Sequence, residues 1–168
     1  MNLNNCNKLT DLDCSDNKLQ SLSLSNTLSL CTLRCENNQL TTLDVSDCTS
    51  LKSLQCSGNK LTSLNISKCT NLTFLGCVYN ELTTLDASDC IALKTLECYG
   101  NLLKTLNING CRSLEKLDCS YNQLDMLDIA NCNYLEKLIC YVNKITRLNV
   151  NGCNALQTLI CDENKLTQ

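Results

Sequence analysis

Sixteen cysteines occur in 168 residues, and a thiol can act as a nucleophile, a metal ligand, a disulfide partner or a small core side chain. A nucleophilic cysteine needs a base beside it, and the usual base is missing because the chain contains no histidine. Structural zinc sites favour cysteine pairs with two residues between them, whereas Cys31 and Cys35 are separated by three. Glycine-rich phosphate loops and the GxSxG motif are also absent. We therefore expect no catalytic residue, no metal site and no cofactor.

The spacing of the cysteines shows that the chain is an array of repeats. Eight of them recur every 21 residues: Cys14, Cys35, Cys56, Cys77, Cys98, Cys119, Cys140 and Cys161. An asparagine follows each by three positions, which gives the row Asn17, Asn38, Asn59, Asn80, Asn101, Asn122, Asn143 and Asn164. A second cysteine row contains Cys6, Cys48, Cys69, Cys90, Cys111, Cys132 and Cys153. Thr27 interrupts this second row, and Cys31 belongs to neither.

The repeated unit is LxxLxCxxNxLxxLx(V/I)xxCxx, and it resembles the leucine-rich repeat family. The match is to the short class with 21-residue units and nested periodicity, which is found in bacteria and protists. The resemblance covers essentially all of residues 1–168 as one domain without recognisable caps. It implies a right-handed solenoid of about eight coils built from short parallel strands, and it is far more specific for fold than for function.

The residue pattern within each unit independently predicts strands. Leu12 and Cys14 alternate with polar residues, and Leu22 and Leu24 do the same in the second half of the unit. Period-two alternation indicates a strand with one buried face. We therefore expect a mainly β fold with two parallel strands per coil, on opposite sides of a flattened solenoid.

The asparagine row is predicted to satisfy backbone groups where the chain turns after the first strand. A buried amide side chain can both donate and accept, whereas aspartate cannot donate and leucine can do neither. An outward row alternates acid and amide: Asp44, Asn65, Asp86, Asn107, Asp128 and Asn149. This alternation predicts that amides separate stacked carboxylates, although drift between two interchangeable polar residues would give the same pattern.

The cysteine rows are predicted to be buried free thiols rather than disulfides. Neighbours in one row would have Cβ atoms about one strand spacing apart, roughly 4.8 Å, whereas a disulfide needs about 3.8 Å. Free thiols favour a reducing compartment, and the opening residues MNLNNCNKLT lack the features of a signal peptide. We therefore expect a cytoplasmic location, or the cell surface if the chain is an excerpt of a longer protein.

The variable positions of the first strand predict a contact surface for a protein partner of unknown identity. Aromatic, aliphatic and basic residues gather there from the fourth coil onward: Phe74, Val78, Tyr79, Tyr99, Lys116, Tyr121, Lys137, Ile139, Tyr141 and Ile160. The alternative is that these side chains coat the sheet because they favour strands. The net charge of −3 argues against nucleic acid, and no apolar run is long enough to insert into a membrane.

Two other functions are compatible with the repeats. The chain begins and ends inside a unit, so its apolar rows could join copies end to end as a structural assembly. The outward row of Thr42, Thr84 and Thr105 could bind ice or another surface, but Met126 and Arg147 interrupt it. Non-catalytic protein recognition or scaffolding remains the function that the sequence favours.

Overall fold

Each 21-residue unit makes one lap of a parallel β-solenoid in the computed structural model, which describes residues 1–130 and 132–167. Twelve three-residue strands follow in chain order: β1 (Asp11–Asp13), β2 (Thr32–Arg34), β3 (Thr42–Asp44), β4 (Ser53–Gln55), β5 (Ser63–Asn65), β6 (Phe74–Gly76), β7 (Thr84–Asp86), β8 (Thr95–Glu97), β9 (Thr105–Asn107), β10 (Lys116–Asp118), β11 (Lys137–Ile139) and β12 (Thr158–Ile160). No helix occurs among these described residues.

The first strands of all the coils form one continuous sheet. Its order is β1-β2-β4-β6-β8-β10-β11-β12, and every neighbouring pair is parallel. Residues 21 positions apart lie side by side, as Leu12 does with Leu33 and Leu117 with Leu138. Equivalent side chains therefore stack in rows along the solenoid, which confirms the predicted leucine-rich-repeat architecture.

The second side of the solenoid differs from the prediction, because strands form there in only four coils of the described chain. They pair in twos, β3 with β5 and β7 with β9. At the junction between β5 and β7, the backbone N–H of Lys68 instead donates to Oδ2 of Asp89, at 3.0 Å. The backbone N–H of Asn26 donates to Oδ2 of Asp47 in the same way, at 3.3 Å, where the coil before β3 meets the β3–β5 pair. Aspartate side chains thus replace direct strand pairing at these two junctions.

The alternating acid and amide row follows this pairing. Nδ2 of Asn107 donates to Oδ1 of Asp86 at 3.1 Å, across the β7–β9 pair. Hydrogen bonds from the hydroxyl and backbone N–H of Ser88, and from Asn107, lower the pKa of Asp86. Asn65 likewise bonds to Asp44 across the β3–β5 pair, so in both strand pairs the amide serves the carboxylate of its own pair.

The core consists of the leucine, isoleucine and cysteine rows. From the second coil to the seventh, the leucines that precede each main-row cysteine are fully or almost fully buried. The main-row thiols from Cys35 to Cys140 are also buried, between the two sides of the solenoid. Burying each leucine contributes about 1.5–3 kcal/mol relative to exposing it, so the repeated rows carry the fold without large aromatic residues.

The asparagine row links each coil to the one before it. Nδ2 of Asn122 donates to the carbonyl oxygens of Cys119 and Ser120 in its own coil and of Cys98 in the preceding coil, each at 3.1 Å. Its Oδ1 accepts the backbone N–H of Leu103 at 2.9 Å. The same four contacts recur for Asn38, Asn59, Asn80, Asn101 and Asn143. The predicted role of this row is confirmed, and the contacts show that it joins coils.

The second cysteine row makes a similar link through sulfur. The thiol of Cys111 donates to the carbonyl oxygen of Ala87 at 3.2 Å, and that of Cys69 to Val45 at 3.5 Å. Where Thr27 interrupts this row, its hydroxyl lies 3.2 Å from the sulfur of Cys48 and is fully buried. This hydroxyl donates to the carbonyl oxygen of Leu24 in its own coil, and its contact with the Cys48 sulfur links it to the next coil.

Each coil turns through one left-handed residue two positions after its main-row cysteine. These residues have φ between 50° and 67°: Asp16, Asn37, Gly58, Tyr79, Gly100, Tyr121, Val142 and Glu163. Glycine and asparagine accept this conformation readily, whereas tyrosine and the β-branched Val142 are strained in it. Tyr79 and Tyr121 therefore adopt a backbone conformation that is unfavourable for tyrosine.

Gly110 permits the close approach of two coils on the second side, and Gly110→Ala is expected to lower the free energy of unfolding by about 3 kcal/mol or more. A Cβ at this position would lie 1.7 Å from the carbonyl oxygen of Ser88, so the β7–β9 pair would have to separate. Chemical denaturation would measure the loss.

Gly76→Ala is the matched control for this substitution. Its added Cβ would meet the Phe74 ring, whose Cε1 lies 3.2 Å away and can rotate aside, and Oγ of Ser57 at an ordinary contact distance of 3.7 Å. We expect a change below about 1 kcal/mol. Equal losses in the two variants would contradict the close approach at Gly110.

Candidate functional site

Four of the predicted contact residues form one row of rings at the carboxyl end of the eight-stranded sheet. Tyr79 and Tyr121 are the left-handed turn residues of the fourth and sixth coils, while Tyr99 and Tyr141 directly follow the cysteines of the fifth and seventh. Tyr79 is 63% exposed and Tyr121 is 51% exposed, whereas Tyr99 and Tyr141 are half-buried. We call these four residues the tyrosine edge.

The tyrosines lie in two pairs. The rings of Tyr79 and Tyr99 are perpendicular, with centroids 5.3 Å apart and an interplanar angle of 82°. Tyr121 and Tyr141 repeat the arrangement at 5.0 Å and 72°. Edge-to-face contacts between rings contribute about 0.5–1.5 kcal/mol each, so each pair holds its rings in a fixed orientation.

Small residues beside the rings were missed in the sequence prediction. Gly100 has no side chain, and a Cβ there would lie 2.6 Å from Cδ1 of Tyr79, so the Tyr79 ring leans across this glycine. Ser120, in the next coil, is buried. The available signal was a period of two units, because Tyr79 and Tyr121, Tyr99 and Tyr141, and Gly58 and Gly100 are each 42 residues apart.

The remaining predicted contact residues have different surroundings. Val78 is only 5% exposed, so including it in the contact surface was wrong: this side chain packs under the turn instead. Phe74 is half-buried, and its ring lies back over Gly76. Lys116 and Lys137 are exposed at the amino ends of their strands, the end away from the tyrosine edge. Ile139 and Ile160 lie side by side at the carboxyl ends of β11 and β12, half-buried and exposed respectively.

Carboxylates accompany the tyrosine edge. Glu97 and Asp118 end the strands β8 and β10 and are neighbours in register. Partial burial raises the pKa of Tyr99, and the nearby Tyr79, Glu97 and Asp118 raise it further. The Tyr99 hydroxyl therefore remains protonated at neutral pH, and the edge combines rings with negative charge.

The buried thiols are unsuited to nucleophilic chemistry. All sixteen cysteines lie in the described part of the chain and are free, and thirteen of them are buried. Burial raises the pKa of Cys77 and of Cys90 to about 12 and that of Cys132 to about 11. Because the thiolate is the reactive form, these side chains act as small apolar core residues.

The chain is similar to three solved structures of bacterial leucine-rich repeat proteins. The functional domain of InlJ from Listeria monocytogenes, which includes a cysteine ladder, has a TM-score of 0.89 and 39% identity over 95% of this chain and 36% of that chain. LIC12759 from Leptospira interrogans has a TM-score of 0.84 and 27% identity over 94% and 44%. YopM from Yersinia enterocolitica has a TM-score of 0.77 and 25% identity over 97% and 39%.

This chain therefore spans less than half the length of each of these three structures. No family model matches the sequence, and no curated protein sequence matches it. Residues 1–130 and 132–167 contain no helix that is long and apolar enough to cross a membrane.

Proposed function

We propose that this chain, which is a leucine-rich repeat solenoid with 21 residues per coil, is a protein-binding module that contacts its partner through the tyrosine edge and the adjoining face of the eight-stranded sheet. The fold supports the general part of the proposal, because stacked repeats present one extended surface to a partner. The choice of the tyrosine edge as the contact surface is supported by one observation. Its four tyrosines lie in one row as two edge-to-face pairs, which hold the rings in a fixed orientation.

Exposed tyrosines are well suited to protein contact. A tyrosine buries a large apolar area on binding and loses little side-chain entropy, which is why binding hot spots are rich in this residue. Tyr79 and Tyr121 also occupy strained left-handed positions where glycine stands in two other coils. Strain that persists at an exposed site supports a functional role for the side chain.

The proposed module is non-catalytic and works in a reducing compartment, as in the cytoplasm. Its most abundant reactive groups are buried thiols with raised pKa values, among them Cys77 and Cys140. Free cysteines in such number would be at risk of oxidation during folding in an oxidising compartment.

The test is capture of partners by the intact chain and by a variant with Tyr99→Ala, Tyr121→Ala and Tyr141→Ala. We expect the triple variant to retain its circular dichroism spectrum and to lose at least roughly tenfold in partner capture, because the rings supply the contact area. Capture from a lysate of the source cells, quantified by mass spectrometry, provides the measurement.

Tyr134→Ala is the matched control, because Tyr134 is 67% exposed but lies outside the tyrosine edge. It should capture partners as the wild type does. Full capture by the triple variant, or equal losses in both variants, would contradict the proposed contact surface.

A further inference from the structure

The dipeptide Asn-Gly occurs twice in the chain, at Asn109–Gly110 and at Asn151–Gly152. The two copies are 42 residues apart and occupy the same position of the repeated unit, directly before a cysteine of the second row. Their sequence surroundings are almost identical: residues 107–111 read NINGC and residues 149–153 read NVNGC. A difference in chemistry between the two copies therefore has to come from the folded structure.

An Asn-Gly pair is prone to deamidation, because glycine has no side chain to hinder ring closure. The backbone nitrogen of the glycine attacks Cγ of the asparagine, and a C–N bond forms as the bond between Cγ and Nδ2 breaks. The side-chain NH₂ group leaves as ammonia with the proton that the glycine nitrogen gives up, and a succinimide ring remains. Water then adds to one of the two ring carbonyl groups and opens the ring to aspartate or isoaspartate.

Exposure and local hydrogen bonds are alike at the two sites. Asn109 and Asn151 are both exposed. Each donates its backbone N–H to the side-chain oxygen of the asparagine two positions earlier, Asn109 to Asn107 at 3.2 Å and Asn151 to Asn149 at 3.0 Å. Access of water and the local turn therefore do not distinguish the two asparagines.

Packing against the preceding coil does distinguish the two glycines. A Cβ placed on Gly110 would lie 1.7 Å from the carbonyl oxygen of Ser88. A Cβ placed on Gly152 would lie 3.9 Å from the carbonyl oxygen of Ala130, which is the equivalent residue of its own preceding coil. Ring closure has to rotate the peptide group between asparagine and glycine and draw the glycine nitrogen towards Cγ. Gly152 has space for this movement, whereas Gly110 is held against Ser88.

Strand pairing adds to this difference. The β7–β9 pair extends to two residues before Asn109, so this asparagine follows a hydrogen-bonded strand. The equivalent segments before Asn151 are residues 126–128 and 147–149, and neither forms a strand in the described chain. Movement at Asn109 therefore requires local opening of two paired coils, and the free energy of that opening slows the reaction.

We infer that Asn151 is a site of spontaneous deamidation in the folded chain and that coil packing protects its equivalent, Asn109. This modification site is independent of the proposed protein-binding function. The reaction needs only water, and it replaces a neutral amide by a carboxylate on the second side of the solenoid.

The modification also changes the backbone beside a link between coils. Isoaspartate at position 151 inserts one carbon into the main chain directly before Gly152. The next residue is Cys153, whose backbone N–H donates to the carbonyl oxygen of Val150 at 3.1 Å and whose thiol donates to that of Ile129 at 3.7 Å. The longer backbone displaces these donors, so deamidation should weaken the contact between this coil and the preceding one.

Timed incubation of the native, reduced chain at pH 7, followed by digestion at acidic pH and mass spectrometry, measures both rates in one sample. We expect Asn151 to deamidate at least roughly tenfold faster than Asn109, because only Asn109 needs local opening. In urea that unfolds the chain, the two rates should become nearly equal, since the pentapeptides differ only at Ile108 and Val150.

Two glutamine variants complete the test, because glutamine would have to close a larger and slower-forming ring. Asn151→Gln should abolish the fast reaction and keep the circular dichroism spectrum, since this side chain is exposed. Asn109→Gln is the matched control and should leave the rate at Asn151 unchanged.

Three results would overturn the inference. They are equal native rates at Asn109 and Asn151, a native chain in which Asn151 stays intact while the unfolded chain reacts, and a rate difference that persists in urea. The last result would assign the difference to the sequence and not to packing.

Discussion

Raising the pH above 9 is expected to unfold the chain over about one to two pH units. The unfolded chain would release its thiol protons near pH 9, whereas burial raises the pKa of Cys69, Cys77, Cys90, Cys111 and Cys140 to about 12. Between these values the folded chain keeps protons that the unfolded chain has lost, so the free energy of unfolding falls as the pH rises.

The size of this effect follows from the number of buried thiols. Each thiol that stays protonated only when folded lowers stability by about 1.4 kcal/mol per pH unit. Thirteen cysteines are buried, and the free energy of unfolding of a domain of this size is about 5–15 kcal/mol. The summed loss of stability therefore reaches this value within a small part of the range from pH 9 to pH 12. The thiol contribution is fully present below pH 9 and is lost towards pH 12.

Far-ultraviolet circular dichroism against pH, with a reductant present, measures this transition. A variant with Cys56→Ala, Cys77→Ala and Cys98→Ala is the control. It should be less stable at pH 7, because small cavities remain, yet its stability should fall with pH less steeply by about 4 kcal/mol per unit. A wild-type chain that stays folded at pH 12 would contradict the burial of these thiols.

Replacing Asn122 with aspartate is expected to destabilise the solenoid by about 3–5 kcal/mol. The carboxylate could still accept the N–H of Leu103, but it would place a negative charge against the carbonyl oxygens of Cys98, Cys119 and Ser120 that the amide now serves. Asn122→Ala removes the contacts without adding charge and should cost about 3 kcal/mol. Urea denaturation of the three proteins gives both values.

Asn17→Ala is the internal control for this prediction. Asn17 belongs to the same row but is exposed, and its amide donates only within its own coil, to Cys14 and Ser15. Its loss should cost about 1 kcal/mol or less. Similar losses at Asn17 and Asn122 would show that the coil-to-coil contacts do not carry the effect.

The 21-residue repeat predicted most of the fold. A single residue type recurs at each of several positions of the unit, and this is enough to show that each unit forms one coil of the solenoid. The rows of Leu117, Cys119 and Asn122 each have a single environment that follows from alternation and from the donor and acceptor needs of a turn. These residues contact equivalents of themselves in adjacent coils, so a local pattern determines long-range register.

The features that were not predicted depend on differences between coils. The pairing of coils on the second side depends on Gly110 within the β7–β9 pair and on Asp89 at the junction between β5 and β7, and neither residue interrupts the main pattern. Val78 and Tyr99 occupy the same position of the unit, yet Val78 is buried and Tyr99 is partly exposed. The 21-residue repeat treats all coils as equivalent and so hides these differences. The 42-residue repeat, which compares every second coil, would have revealed them.

Thiol labelling of the native chain tests most directly the claim that each 21 residues make one lap with its cysteines inside. A bulky maleimide at pH 7, with sites assigned by mass spectrometry, should react quickly with the half-buried Cys6, Cys31 and Cys161 and slowly with the thirteen buried cysteines. All sixteen should react once the chain is unfolded. Rapid native labelling of most of the main row, from Cys35 to Cys140, would contradict the account.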